Sequence, residues 1–384
     1  MTETTDKKSV RILMSAINGY GYYYLKTLIE EVPESQAILV GVIDPEAQKS
    51  GHYPWIIQRN VPVFSRMEDF FRAGLSVDLT VISSPPQYHV SQAIIALSNG
   101  SNVLVDKPLG VNIKSVRELI VAAEKFQRWV EVGYQWTFSN AIQSLKKDIL
   151  QGRYGRPTRF KTICLWPRDY NYYNRNSWAG RIVDPLGQAV LDSPANNACA
   201  HFLYNLFYLL GDEMGTSAMP QQIDSERYRA YRIENYDTIT LRARTKKGTE
   251  VLFFASHVTE NDRNPEFYLE FSKGVVQFGG THSQIIGEFN EGNEINYGSP
   301  EDDHQFKKLF DAIKRVREPG PTICPPEAAI AQTICINQVQ ESKNPIINFP
   351  EELIIKKDDR RWVDGLGERM GKAYENNSMI SETI

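Results

Sequence analysis

The chain has 384 residues, 41% of them apolar and 23% charged, and a formal net charge of −4. That length exceeds what one hydrophobic core usually organises, so two domains are expected, and the absence of a Lys/Arg-rich block leaves no electrostatic footprint for nucleic acid or an anionic membrane. The polar start lacks an apolar signal core, residues 202–210 are too short to cross a bilayer, and Cys164, Cys199, Cys324 and Cys335 lie in apolar surroundings without CxxC spacing, as buried free thiols do, so a cytoplasmic protein with no membrane partner is expected.

From residue 10 to residue 132 short β-rich runs alternate with helical patterns. Strand patterns cover 10–16, 38–44, 79–83, 103–105 and 130–132; helical patterns cover 22–31, 66–73, 90–98 and 113–126. Alternation of this kind gives an α/β domain, a doubly wound parallel sheet covered by helices on both faces. After Tyr134 the pattern changes. Long strand patterns occupy 159–166, 238–244 and 250–257, the last two joined through Lys246-Lys247-Gly248, and 267–271 and 275–278 are joined through Ser272-Lys273-Gly274. Gly-containing hairpin turns argue for a largely antiparallel open sheet in a second, α+β domain.

Ser193-Pro194 reads as a helix cap with proline in the first turn, and Gly211 as the stop of that helix. Phe306, Leu309, Phe310, Ile313 and Val316 fall at helical steps, and Pro325-Pro326-Glu327 opens another helix to about Ser342. Runs at 346–349 and 353–355 look like strands, and the polar remainder, 358–384, reads as a surface tail. The expected domains are 1–134, 135–357 and that tail.

Ligands of doubly wound sheets collect outside the carboxyl ends of the strands. Lys107, in Asp106-Lys107-Pro108 at the end of the run 103–105, is therefore the first candidate for chemistry. A strand-turn-helix binds pyrophosphate when glycines let backbone amides approach it. Here Ala16, Asn18 and Gly21 stand where three glycines are wanted; Asn18 tolerates left-handed backbone, and Gly19 adds freedom beside it. Asp44 ends the second strand, where a carboxylate accepts hydrogen bonds from a ribose diol and repels a 2′-phosphate, so NAD is favoured and NADP left open. Ser83, Ser84 and Pro85 follow the next strand, with small residues that let a flat cofactor approach, and His89 begins the helix after them.

The turn at Asn18-Gly19-Tyr20-Gly21, the acid Asp44, the segment Ser83-Ser84-Pro85-Pro86-Gln87-Tyr88-His89 and Asp106-Lys107-Pro108, in that order, resemble the glucose-fructose oxidoreductase, inositol dehydrogenase and MocA family. The likeness is strongest over 79–134 and weakens after about residue 358. It implies a Rossmann domain, an NAD(P)-dependent oxidoreductase and a homo-oligomer. The family's Glu-Lys-Pro tripeptide appears with Asp106 in place of Glu, and its lysine lies beside nicotinamide and substrate hydroxyl, a role carried to Lys107. The family's catalytic helix bears Asp and His four residues apart. Its histidine corresponds to His201, and Asn197 occupies the place of the aspartate, so a proton relay runs through Lys107 and His201, or through Asp192 if the chain folds back.

Histidine suits proton transfer near neutral pH, while a desolvated Lys107 near a positively charged nicotinamide has its ammonium form disfavoured. Asn205 continues the polar stripe of Asn197 and His201 at helical spacing. Trp166, Arg168, Tyr170, Tyr172, Tyr173, Arg175 and Trp178 crowd together and are expected to form a sugar surface, with aromatic faces for ring C–H groups and arginine forks for hydroxyls or carboxylates; the alternative is an aromatic-rich loop buried at a subunit interface. Gln135 is expected beside the cofactor. The expected substrate is a sugar, cyclitol or related polyol; the alternatives are a lyase that oxidises transiently with bound NAD, and a non-catalytic regulator sensing cofactor or sugar. Neither the six histidines nor the acids show ligand spacing, so no metal is expected.

Overall fold

A computed structural model describes residues 8–383. Six parallel strands build the first sheet: β1 (Val10–Ser15), β2 (Ala37–Ile43), β3 (Val63–Phe64), β4 (Leu79–Ile82), β5 (Asn102–Val105) and β6 (Val130–Val132), in the order β3-β2-β1-β4-β5-β6. Between them run α1 (Tyr20–Glu31), α2 (Tyr53–Gln58), α3 (Met67–Arg72), α4 (Pro86–Ser98) and α5 (Ile113–Phe126). Alternation along β1 sends Ile12 and Met14 to one face, where they cluster with Tyr24, Leu25 and Leu28 of α1, and Leu13 to the other, where it approaches the Phe70 side of Gly41. Strand β3, two residues long, and the six-residue α2 escaped the sequence reading.

The chain divides into two compact units. One runs to Phe138 and takes back His304–Glu327; the other comprises Ser139–Asp303 and continues from Ala328. The returning segment carries a helix whose Leu309, Ala312 and Ile313 join the core beside β1 and β4. This assignment of 304–327 to the first unit departs from domains cut at 134 and 357, because packing rather than chain order decides where an amphipathic helix docks.

In the second unit, α6 (Asn140–Leu150) is followed by β7 (Pro157–Leu165), α7 (Tyr170–Asn174) and α8 (Ala200–Leu209). Then come β8 (Pro220–Arg229), β9 (Thr238–Thr245), β10 (Glu250–Ser256), β11 (Arg263–Phe271), β12 (Gly274–Gly279), β13 (His282–Phe289) and β14 (Glu294–Asn296). With β15 (Ile347–Asn348) they form one nine-stranded sheet, β14-β13-β12-β11-β7-β10-β9-β8-β15. It is antiparallel except where β7 meets β10 and β8 meets β15. The predicted surface tail is corrected: after the hairpin β16 (Ile354–Lys357) and β17 (Arg360–Val363), a helix over Leu366–Asn376 buries Leu366, Met370, Ala373 and Tyr374 against Ile163, Leu165, Leu252 and Phe254. Those four residues make an i, i+4, i+7, i+8 stripe that the polar average of the segment hides. All four cysteines are free and buried, and no helix among the described residues is long and apolar enough to cross a membrane.

Candidate active site

Strand order reverses at the β1/β4 boundary of the first sheet, and a crevice for ligands opens at such a switch point. The chain leaves β1 with Ala16 at φ +63 and Gly19 at φ +56. Left-handed backbone costs an L residue about 1–2 kcal/mol, so Ala16 is held where glycine sits freely. Gly21 answers a different need: a Cβ there would lie 2.2 Å from the Ala16 carbonyl oxygen, whereas one on Gly19 would meet open space. Asp44 is 8% exposed. Its Oδ2 accepts from the Ile17 amide at 2.9 Å and from Asn18 Nδ2 at 3.0 Å, and its Oδ1 accepts from the Glu46 amide at 2.8 Å. The carboxylate thus braces the β1 loop besides starting the turn after β2. Close helix-strand packing at Gly21, open space over Gly19 and an acid after β2 fit a dinucleotide, whose pyrophosphate the α1 amides would hold.

Ser83 donates its amide to Ser15 O at 2.9 Å, keeping the β4 loop beside that of β1. Ser84 Oγ and Ser15 Oγ both donate to Gln92 Oε1, at 2.8 and 2.9 Å. Pro85 caps α4, which begins at Pro86, so His89 lies in its first turn, fully buried. His89 Nδ1 is 2.7 Å from the Pro108 carbonyl oxygen and Nε2 is 2.6 Å from that of Ser84. Burial pulls its pKa down against the pull of those carbonyls and Asp106. The imidazole is therefore a clip between the β4 loop and the turn that carries Lys107, whose peptide bond to Pro108 is cis.

Lys107 itself is half-buried, and Asp106 beside it is turned into the protein. Asp106 Oδ1 accepts from Tyr24 Oη at 3.1 Å and from Lys308 Nζ at 2.9 Å; that ammonium also donates to Gly133 O at 3.0 Å. Lys308 is completely buried, over the rings of Tyr20 and Tyr24. Burial opposes its charge most strongly, but Asp106 and Tyr20 together outweigh it and the pKa is raised. Neither Lys308 nor Tyr24 was singled out from sequence. Gln135 opens a short 3-10 turn over Gln135–Phe138, half-buried.

In the second unit the helix expected from Ser193 begins only at Ala200. Ser193 Oγ does accept the Asn196 amide at 3.2 Å, as a cap would, but the Cys199 amide then reaches Pro194 O at 2.8 Å, a wider loop than an α-turn. Asn197 therefore precedes the helix, while His201 stands half-buried in its first turn. Asp192 does fold back: its Oδ1 accepts from Asn197 Nδ2 at 2.7 Å and its Oδ2 from the Gly180 amide at 2.6 Å. Asn205 is 1% exposed, and neither amide atom has a hydrogen-bond partner among the described residues.

The aromatic-rich segment is a charged stack. Trp166 packs edge-on to Phe202 with centroids 5.4 Å apart, and the Arg168 guanidinium lies 4.9 Å from the Tyr172 ring. Arg175 lies 3.8 Å from the same ring, 5.3 Å from Trp178, and 3.8 Å from Asp192 Oδ2. Tyr173 Oη is 3.0 Å from Nδ1 of His257. His257 went unremarked in the sequence, where a lone histidine at a strand end carries no signal. Burial, then Arg168 and Arg175, hold its pKa well below the ordinary value.

Comparison with known proteins agrees with this geometry. Residues 13–134 match the model of an oxidoreductase family with an NAD-binding Rossmann fold. A 1-carboxy-3-chloro-3,4-dihydroxycyclohexa-1,5-diene dehydrogenase of Comamonas testosteroni is 35% identical over 80 residues, 21% of this chain and 20% of that protein. A scyllo-inositol 2-dehydrogenase (NAD(+)) of Bacillus subtilis is 27% identical over 157 residues, 40% of this chain and 43% of that protein. The chain thus spans less than half the length of these curated relatives. The WlbA dehydrogenase of Bordetella pertussis, solved with NADH and UDP-GlcNAcA, superposes over 87% of this chain and 97% of its own at a TM-score of 0.72 and 20% identity, a likeness of fold. Residues 13–134 thus have the NAD-binding Rossmann fold of an oxidoreductase family. Over that stretch the chain is similar to proteins of the glucose-fructose oxidoreductase, inositol dehydrogenase and MocA family.

Proposed function

We propose that the chain is an NAD-dependent oxidoreductase that moves a hydride between the nicotinamide and a secondary alcohol of a sugar, cyclitol or related polyol. The observation that carries this reading is Lys107, at the carboxyl end of β5, with its turn clipped by His89 and its neighbour Asp106 anchored by Lys308. A relative named scyllo-inositol 2-dehydrogenase (NAD(+)) supports the substrate class. Bound NAD supplies the hydride acceptor. The loop from Ala16 to Gly21 and the first amides of α1 hold the pyrophosphate, and Asp44, with lone pairs beyond those its amides use, receives the ribose hydroxyls.

Lys107 in the first unit and His201 in the second are each candidate acceptors for the hydroxyl proton. Asn197 cannot bind a proton; its bond to Asp192 orients both side chains, so the aspartate acts by charge and position. The test is a panel of sugars, cyclitols and polyols with NAD, read by NADH absorbance. Turnover that falls at least about 100-fold in Lys107→Met, with NAD affinity kept, is the expected result. NAD binding without NADH from any member would instead favour the regulator, the reading that Asn197 sustains.

A further inference from the structure

The Arg168 guanidinium is a half-buried cation without an anion. Among the described residues it has no ion pair, and its Nε is buried with no hydrogen-bond acceptor. Two carboxylates of this region are engaged elsewhere: Asp192 with Asn197, the Gly180 amide and Arg175, and Asp169 with the Tyr172 amide at 2.7 Å. Arg175 brings a second positive charge over the Tyr172 ring. His257, buried close by, feels both cations, and its Nε2 has no hydrogen-bond partner among the described residues. Backbone bonds fix the site, since the Arg168 amide donates to His257 O at 2.9 Å and its carbonyl accepts from Tyr231 Oη.

Stacking explains where the guanidinium lies but not what it binds. Trp166 and Tyr172 lie against the guanidinium, and a guanidinium grips a carboxylate or phosphate by two parallel in-plane N–H bonds. A neutral polyol would leave Arg168 without an anion. We infer that the sugar or cyclitol taken by this site carries an anionic oxygen group, a carboxylate or a phosphate, and that Arg168 is its seat. The inference rests on the oxidoreductase reading for its substrate but on the second unit alone for its geometry.

The test is calorimetric titration of the NAD-supplied protein with D-glucuronate, D-galacturonate, D-glucose 6-phosphate and D-glucose, with NADH formation followed in parallel. At least one charged sugar should bind ten or more times tighter than glucose, and Arg168→Gln should cut that charged-to-neutral ratio by roughly 10- to 100-fold. Arg168→Lys distinguishes the sources: it keeps the charge and loses the fork, so it rescues the phosphate better than the planar carboxylates. Equal affinity for charged and neutral sugars, or a ratio indifferent to Arg168→Gln, overturns the anion seat. Charged sugars that bind with the predicted preference yet give no NADH would support the seat and count against the hydride reading. NADH from glucose without charge preference would do the reverse.

Discussion

Lys308 is a charge that the first unit can bury only because Asp106 is 2.9 Å away. Replacing one member of such a pair strands the other in a low-dielectric site, at a cost of roughly 3–5 kcal/mol. Lys308→Met should therefore lower stability by about that amount, measured by urea unfolding, and Asp106→Asn added to it should recover most of the loss. Were the single substitution neutral, the pair would not hold the Lys107 turn. The sequence revealed half of this arrangement. Asp106-Lys107-Pro108 stood out because it closes an apolar strand, whereas Lys308 sits 202 residues away in a helix where lysine usually means solvent. Its i+4 neighbour Ala312 lies on the buried side, but spacing alone cannot tell a snorkelling lysine from a buried one.

At the scale of the element, the β1 turn depends on two residues for opposite reasons. Gly21→Val would drive a side chain into the Ala16 carbonyl. It should cost about 1–3 kcal/mol and abolish NAD binding in a fluorescence titration, because the helix must move off the strand that aims its amides. Ala16→Gly, by contrast, relieves left-handed strain while loosening the unfolded chain, so stability should shift by less than about 1 kcal/mol with NAD affinity kept. An Ala16→Gly protein that lost NAD would show that Ala16 contacts the cofactor. This turn was legible because strand period and Gly21 set its register. The start of α8 was not: Ser193-Pro194 has the residues of a cap and makes the cap's hydrogen bond, but the wide turn through Cys199 is a backbone choice that side-chain chemistry does not announce.

For the whole molecule, regularity decided what could be read. The parallel sheet declared itself through continuous apolar strands, while β8 hid because its inward positions include Ser225 and Arg227, and Arg227 donates to the Ser342 carbonyl at 3.2 Å instead of packing a hydrocarbon face. Buried polar groups of this kind also govern how stability responds to acid. His257 is neutral in the fold, its pKa held well below 6.5 by burial and two arginines. Below that pH the unfolded chain binds a proton that the native state refuses, so stability falls as pH falls, by up to about 1.4 kcal/mol per unit. Asp237 works the other way. Burial raises its pKa to about 6 against the Tyr231 and Ala230 amides. From there down to the ordinary value of 3.8 the native state keeps a proton that the unfolded chain releases, so its contribution is complete below that range and lost as pH rises through 6. The two slopes oppose each other across the same window. Asp237→Asn should therefore steepen the acid loss of stability, and His257→Gln should flatten it, in urea melts stepped through that range. If Asp237→Asn left the slope unchanged, the carboxyl would have to be ionised in the native state, its charge carried by the Tyr231 and Ala230 amides and the Thr238 hydroxyl.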